Sequence, residues 1–347
     1  MPKRWYCVAL LWLISAVPSF GQEPEKLKWR IEKGKLIFEE MTRETTSIMK
    51  VAGSETKTVQ KETYRYSWTP IEQDGQGNWR IKHKIEGMKL SQETVGVPPV
   101  IYDSSNEAAN SPQSNIYKQF VGVEFIFTID KEMRVTKIEG RDGFLKKLRD
   151  ANEQLEVLVK YFVTDDALKA TAALSFVAIP AREMKIGDHW ERLVLFDMGP
   201  IGKYEHEFQH VYKGKDRANR DLDRIEFSGT VKYVKPSPVA LPELPFKHKD
   251  GKVTAQKSVG YLLFNNRRGR VENSVMNLDI TTNLIFEIAG TEVNIELRQL
   301  TRTTSDFTGG ADPLPDVIES PSPAPCVHYQ PCPCRRHRIF CRLRRCR

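Results

Sequence analysis

Apolar and polar side chains alternate one for one along much of this chain. Tyr64, Tyr66 and Trp68 are separated by single polar residues, and Trp79, Ile81, His83 and Ile85 by Arg80, Lys82 and Lys84. A period of two sends successive side chains to opposite faces, so both runs predict half-buried strands. Between them Asp74-Gly75-Gln76-Gly77-Asn78 supplies residues that tolerate positive φ, which predicts a hairpin. Further strands are expected at 123–129 and 134–138 and, beyond Gly187, at 191–198, 203–213, 224–234, 258–265, 270–279, 281–288 and 292–300. Residues 95–115, with Pro98, Pro99 and many Asn and Ser, read as a loop.

The period changes once. Phe144, Leu148, Ala151, Leu155, Leu158 and Phe162 recur at intervals of three and four, which predicts one amphipathic helix over 144–162. Thr164 before Asp165 and Asp166 predicts the cap of a second helix that runs to about Phe176 and is stopped by Pro180. The expected fold class is mainly β with a helical insert (α+β): a large curved antiparallel sheet or half-barrel packed on one or two central helices. Similar turns and strand–turn–strand stretches (FIFTIDKEMRVTKIEG and YLLFNNRRGRVENSVMN) suggest a duplication around the helices.

Composition divides the chain. Lys3 and Arg4, the apolar run from Trp5 to Val17 and the small residues before Gln22 read as a signal peptide over 1–21, which implies an exported, periplasmic or extracellular protein. Residues 22–307 form the expected β-rich domain with its helical segment at 142–176, 308–325 a Pro-rich linker, and 326–347 a disordered tail rich in Cys and Arg. The formal charge of +8 belongs to the ends, because seven arginines fall in 326–347 and two basic residues in the leader. The body is near neutral, which argues against a nucleic-acid surface. Five of the six cysteines also lie in the tail, whose composition suits a displaced reading frame as well as a metal-binding or basic arm. No stretch after the leader is long and apolar enough for a membrane-spanning helix.

One pentapeptide looks catalytic: His206-Glu207-Phe208-Gln209-His210. On a helix its histidines would share a zinc ion and Glu207 would activate water. Here Tyr204, His206, Phe208, His210 and Tyr212 alternate with mostly polar residues between Gly202 and Gly214, a strand pattern. At roughly 3.3 Å per residue the imidazoles would stand about 13 Å apart. The expectation is therefore no catalytic residue, no metal and no cofactor. A secreted zinc-dependent hydrolase using His206, His210 and Glu207 remains the alternative, and a structural envelope protein a third. Glu39-Glu40 read as solvated strand residues, Asp165-Asp166 as helix-start charges, His83 as a core histidine and Asp188 as a turn former before Trp190.

At IPAREMKIGDHWER, and again at LKWRIEKGKLIFEEMTRET, VIYDSS and MGPIGKYEHEF, the chain resembles an uncharacterised family of secreted β-rich bacterial proteins, a domain of unknown function common in planctomycete-like bacteria. The resemblance spans roughly residues 27–304, implies an exported β-rich fold and brings no catalytic residues. Such a sheet wrapped on helices can leave an apolar cleft, so the expected function is non-enzymatic binding of a lipid or other hydrophobic envelope ligand. Tyr64, Tyr66, Trp68 and Phe208 are the candidate lining residues.

Overall fold

A computed structural model describes residues 25–309 except 178, 237–243 and 245. The predicted leader, most of the linker and the Cys/Arg tail lie outside the described residues. Among the described residues twelve antiparallel strands form one open sheet: β1 (Ile37–Val51), β2 (Ser54–Gln73), β3 (Trp79–Thr94), β4 (Val97–Asp103), β5 (Glu124–Ile129), β6 (Val135–Glu139), β7 (His189–Asp197), β8 (Lys203–Lys215), β9 (Asp223–Val234), β10 (Phe246–Asn265), β11 (Arg270–Ile288) and β12 (Thr291–Gly309). Their order is β6-β5-β3-β2-β1-β12-β11-β10-β9-β8-β7, with β4 added beside β3. The pairing β1–β12 stitches the two halves of the chain together at the middle of the sheet.

The alternation in the sequence becomes burial in the structure. Tyr66, Trp68, Ile81 and Ile85 are inside, whereas Arg80, Lys82 and Lys84 on the opposite parity reach carboxylates on the outer face. The β2–β3 hairpin closes where expected: Asp74 Oδ1 accepts the backbone N–H groups of Gln76 and Asn78 at 2.9 and 2.8 Å, and Gly77 takes φ 90°.

Several of the expected boundaries move: β10 begins at Phe246, well before the strand expected at 258–265, and β1 was not among the expected strands. Residues 97–103 are not loop but strand β4, and Pro98 and Pro99 fall at a register shift of its pairing with β3, where no ladder N–H is required of them. The two strands expected at 270–279 and 281–288 are one, β11, paired with β12 without interruption. β12 itself runs from Thr291 to Gly309, nine residues past the expected strand end at 300, with Gly309 held opposite Ile37.

The helical middle holds three helices, α1 (Arg141–Ala151), α2 (Glu153–Phe162) and α3 (Asp165–Ser175). The single helix expected over 144–162 is broken at Asn152, which adopts extended geometry (φ −168°, ψ 113°). Asparagine is a weak helix former because its amide competes for backbone hydrogen bonds. α1 sinks Phe144, Leu145 and Leu148 into the core. α3 touches both edge strands, β6 and β7, so the sheet bends far enough for one helix to span the gap between its edges. It does so through small side chains: Ala170 and Ala173 meet Val194, Phe208 and Val135, while Ala172 faces the core of β1–β3 and β5.

Thr164 caps α3, accepting the Ala167 N–H at 3.1 Å and donating to Asp197 Oδ2 at 2.9 Å. Thr164→Ala loses both bonds and is expected to cost about 1–2 kcal/mol, with Thr164→Ser recovering most of it. Urea midpoints of the two variants check this.

Candidate functional site

Strand parity aims one side chain in two at the space beneath α3. Every strand except β4 and β6 contributes to the wall of a cavity of about 140 Å³ there, roofed by Leu168, the run Thr171 to Ser175 and Val177. Residues as far apart in the sheet as Trp68 on β2 and Phe208 on β8 line the same space, which requires the sheet to curve around it. The lining is mostly apolar, with Met41, Ile85, Phe125, Phe127, Val194, Phe227, Leu262 and Met276 among it.

A few polar groups interrupt that lining. Glu39 on β1 is 2% exposed, and its Oε2 accepts from Trp68 Nε1 at 2.9 Å and from Ser175 Oγ at 2.8 Å. Burial raises its carboxyl above the usual range despite those donors. The reading of Glu39 as a solvated strand residue is thus overturned, since it shares the inward parity of Met41. Its neighbour Glu40 points the other way and pairs with Arg65 at 3.0 Å.

His83, on β3, packs between rings, 4.2 Å from Trp68 and 4.7 Å from Tyr66. It is buried, as a core histidine should be, yet its Nδ1 has no hydrogen-bond partner. Burial pulls its imidazole down to about 3.

Arg192, on β7, is half-buried and donates to the Phe176 carbonyl at the end of α3 at 2.8 Å. Burial lowers its guanidinium to about 10, with Asp130 acting against the shift. No sequence motif gave Glu39 or Arg192 an inward-facing or ligand-binding role. The signal available was parity alone, Arg192 standing two residues before the inward Val194.

The pentapeptide lies on β8, extended as expected. His206, Phe208 and His210 are buried on one face while Glu207 is exposed on the other. Phe208 stands between the imidazoles, its ring centroid 4.0 Å from that of His206 and 6.2 Å from that of His210. Gly229 on β9, opposite Phe208, leaves room for the first ring, because a Cβ there would come within 2.9 Å of His206 Nε2. Burial holds His206 and His210 near 4, and the charge of Arg192 adds to the effect on His210. His206 Nε2 and His210 Nδ1 have no partner. Among the described residues no three His, Cys, Asp or Glu side chains are grouped so as to hold a metal ion.

Of the candidate lining residues, Tyr66, Trp68 and Phe208 border the cavity. Tyr64 does not: it stacks on Tyr66 at 5.6 Å and packs beside Met88, Leu90 and Tyr102. Asp188 makes the expected turn, accepting the Lys185 N–H at 3.0 Å. Among the described residues no helix is long and apolar enough to cross a membrane.

No curated protein matches the chain by sequence. Among solved structures, one of lipid–protein interactions in lipovitellin is 9% identical with a TM-score of 0.46, over 81% of this chain and 26% of the other. The chain thus spans about a quarter of that protein's length. DynF from the dynemicin biosynthesis pathway of Micromonospora chersina is 7% identical with a TM-score of 0.20, over 86% of this chain and 92% of its own. OccK5 of Pseudomonas aeruginosa is 10% identical with a TM-score of 0.21, over 81% and 99% respectively. None reaches a TM-score of 0.5, and the fold stands on its own geometry. By sequence the match is narrower than the resemblance over 27–304 and falls on the part that builds β3 to β8, helices and pentapeptide included: residues 76–215 match the model of a family of unknown function, DUF6263.

Proposed function

We propose that this protein binds a hydrophobic or cell-envelope ligand, without catalysing a reaction, in the cavity between α3 and the inner face of the sheet. The observation that carries the reading is the cavity itself, about 140 Å³ of mostly apolar space where a protein of this kind is ordinarily close-packed. A cavity of about this size lined by apolar side chains stays dry and takes a ligand such as benzene. Tyr66, Trp68 and Phe208 supply aromatic wall on two sides. Longer ligands require α3 to shift, and a helix seated on Ala170, Ala172 and Ala173 gives up little buried area when it does. Export supports the same reading and rests on Lys3, Arg4 and the apolar run that follows.

The test uses 1-hexanol, which is small enough for the cavity as it stands. Saturation-transfer NMR is expected to show it bound to the full chain. At ten times its dissociation constant it should raise stability by about 1.4 kcal/mol, or roughly 2–4 °C in Tm. Ala173→Leu from the helix side and Thr303→Leu from the sheet side each fill the space and should abolish binding with the fold intact by circular dichroism. Hexanol that fails to bind, or that binds both filled variants as well as the parent, overturns the reading.

A further inference from the structure

We propose that the cavity selects amphiphiles bearing a carboxylate, whose head group is received by Arg192 and His210 while the apolar remainder lies against Phe208, Phe227 and Met276; this rests on the reading of the cavity as a ligand site. A guanidinium carries five N–H donors. Among the described residues Arg192 uses one hydrogen-bond acceptor, the Phe176 carbonyl, and no carboxylate lies within ion-pair distance of it. The acid nearest in electrostatic effect, Asp130, is committed to its own turn, bonded to Arg134 Nε at 2.7 Å and to the backbone N–H groups of Glu132 and Arg134. A charge set in apolar surroundings without a counter-charge is costly, and the cost is recovered when an anion arrives with acceptors for the remaining donors.

The second observation is independent of Arg192. His210 is 4% exposed, lines the same cavity and leaves Nδ1 without a partner. The two residues sit on adjacent strands with inward parity, Arg192 opposite Phe208 and His210 one inward position further along β8. The charge of Arg192 is close enough to depress the His210 imidazole. A neutral imidazole can place its proton on Nδ1, so the pair offers a charged fork and one neutral donor to a single carboxylate. Glu39, the acid that lines the cavity, stands on β1 with Oε2 occupied by Trp68 and Ser175.

Arg192 also complements the C-terminal end of α3, and that role alone would explain its bond to Phe176. The experiment separates the two. Hexanoate and 1-hexanol are titrated against the full chain at pH 8, where the acid is ionised, by ligand-observed NMR. Hexanoate is expected to bind at least tenfold more tightly than hexanol. Arg192→Gln should remove that preference while hexanol still binds, and Arg192→Lys, which keeps the charge but not the fork, should retain part of it. If the Gln variant does not fold, loss of half or more of the preference in the Lys variant supports the assignment and an undiminished preference overturns it. Hexanol binding without a preference for the acid, or a preference that survives Arg192→Gln, overturns the head-group assignment and leaves the cavity reading standing. Binding of neither compound removes both.

Discussion

Acidification from pH 7 to pH 5 is expected to remove about 6 kcal/mol of folding stability through His83, His206 and His210. All three are buried, and burial holds them at about 3, 4 and 4. In the unfolded chain each titrates near 6.5, so below that value the unfolded state binds protons that the folded state refuses. Stability present above pH 6.5 is therefore lost as the pH falls toward 4, at about 2 kcal/mol per ring by pH 5. Glu39 works in the opposite direction. Its folded pKa is raised, so the stability it contributes is complete below the unfolded carboxyl value and declines as pH rises through the folded one. Acidification gives that part back, and Glu39→Gln should steepen the acid loss. Because a domain is typically stable by only about 5–15 kcal/mol, the transition should be visible as a fall in urea midpoint between pH 7 and 5. A midpoint independent of pH over that range would mean that the three rings are not sheltered from water.

Asp223→Ala is expected to destabilise the fold by about 3 kcal/mol. The carboxylate is fully buried and accepts from Tyr212 Oη at 2.7 Å and from Lys215 Nζ at 2.9 Å. Lys215 in turn reaches Glu25, at 2.7 Å, where the described chain begins. Removing Asp223 strands the hydroxyl of Tyr212, a residue 1% exposed, and half of the lysine's pairing, and it loosens the segment that carries Leu27 and Trp29 into the core. Asp223→Asn, which keeps an acceptor for Tyr212 but not the charge for Lys215, should cost less than half as much. Equal midpoints for Asp223→Ala and the parent in urea would remove this network from any role in stability.

These expectations differ in how they could be reached. Burial of His206 and His210 was implied by the alternation around Phe208, and the extended geometry of β8 follows from the same pattern. Glu39 and Arg192 sit on equally regular strands, but charge is ordinarily a mark of the outer face, and parity had to be weighed against it. β4 was hidden for a related reason. Pro98 and Pro99 argue against a strand in general, and only a register shift at a sheet edge reconciles them with one. The break at Asn152 was masked by an apolar period that continues in step across it.

Local pattern by itself determined that this chain is mainly antiparallel β, where the β2–β3 hairpin turns, which residue caps α3 and that the pentapeptide is extended. Each depends on interactions within a few residues. Tertiary structure alone decided the pairing of β1 with β12, the bending of the sheet until α3 spans its edges, and the meeting of Glu39, His83, Arg192 and His210 around one cavity. Those residues are brought together by long-range pairing and by curvature accumulated over many strands, and neither quantity is carried by the period of any one segment.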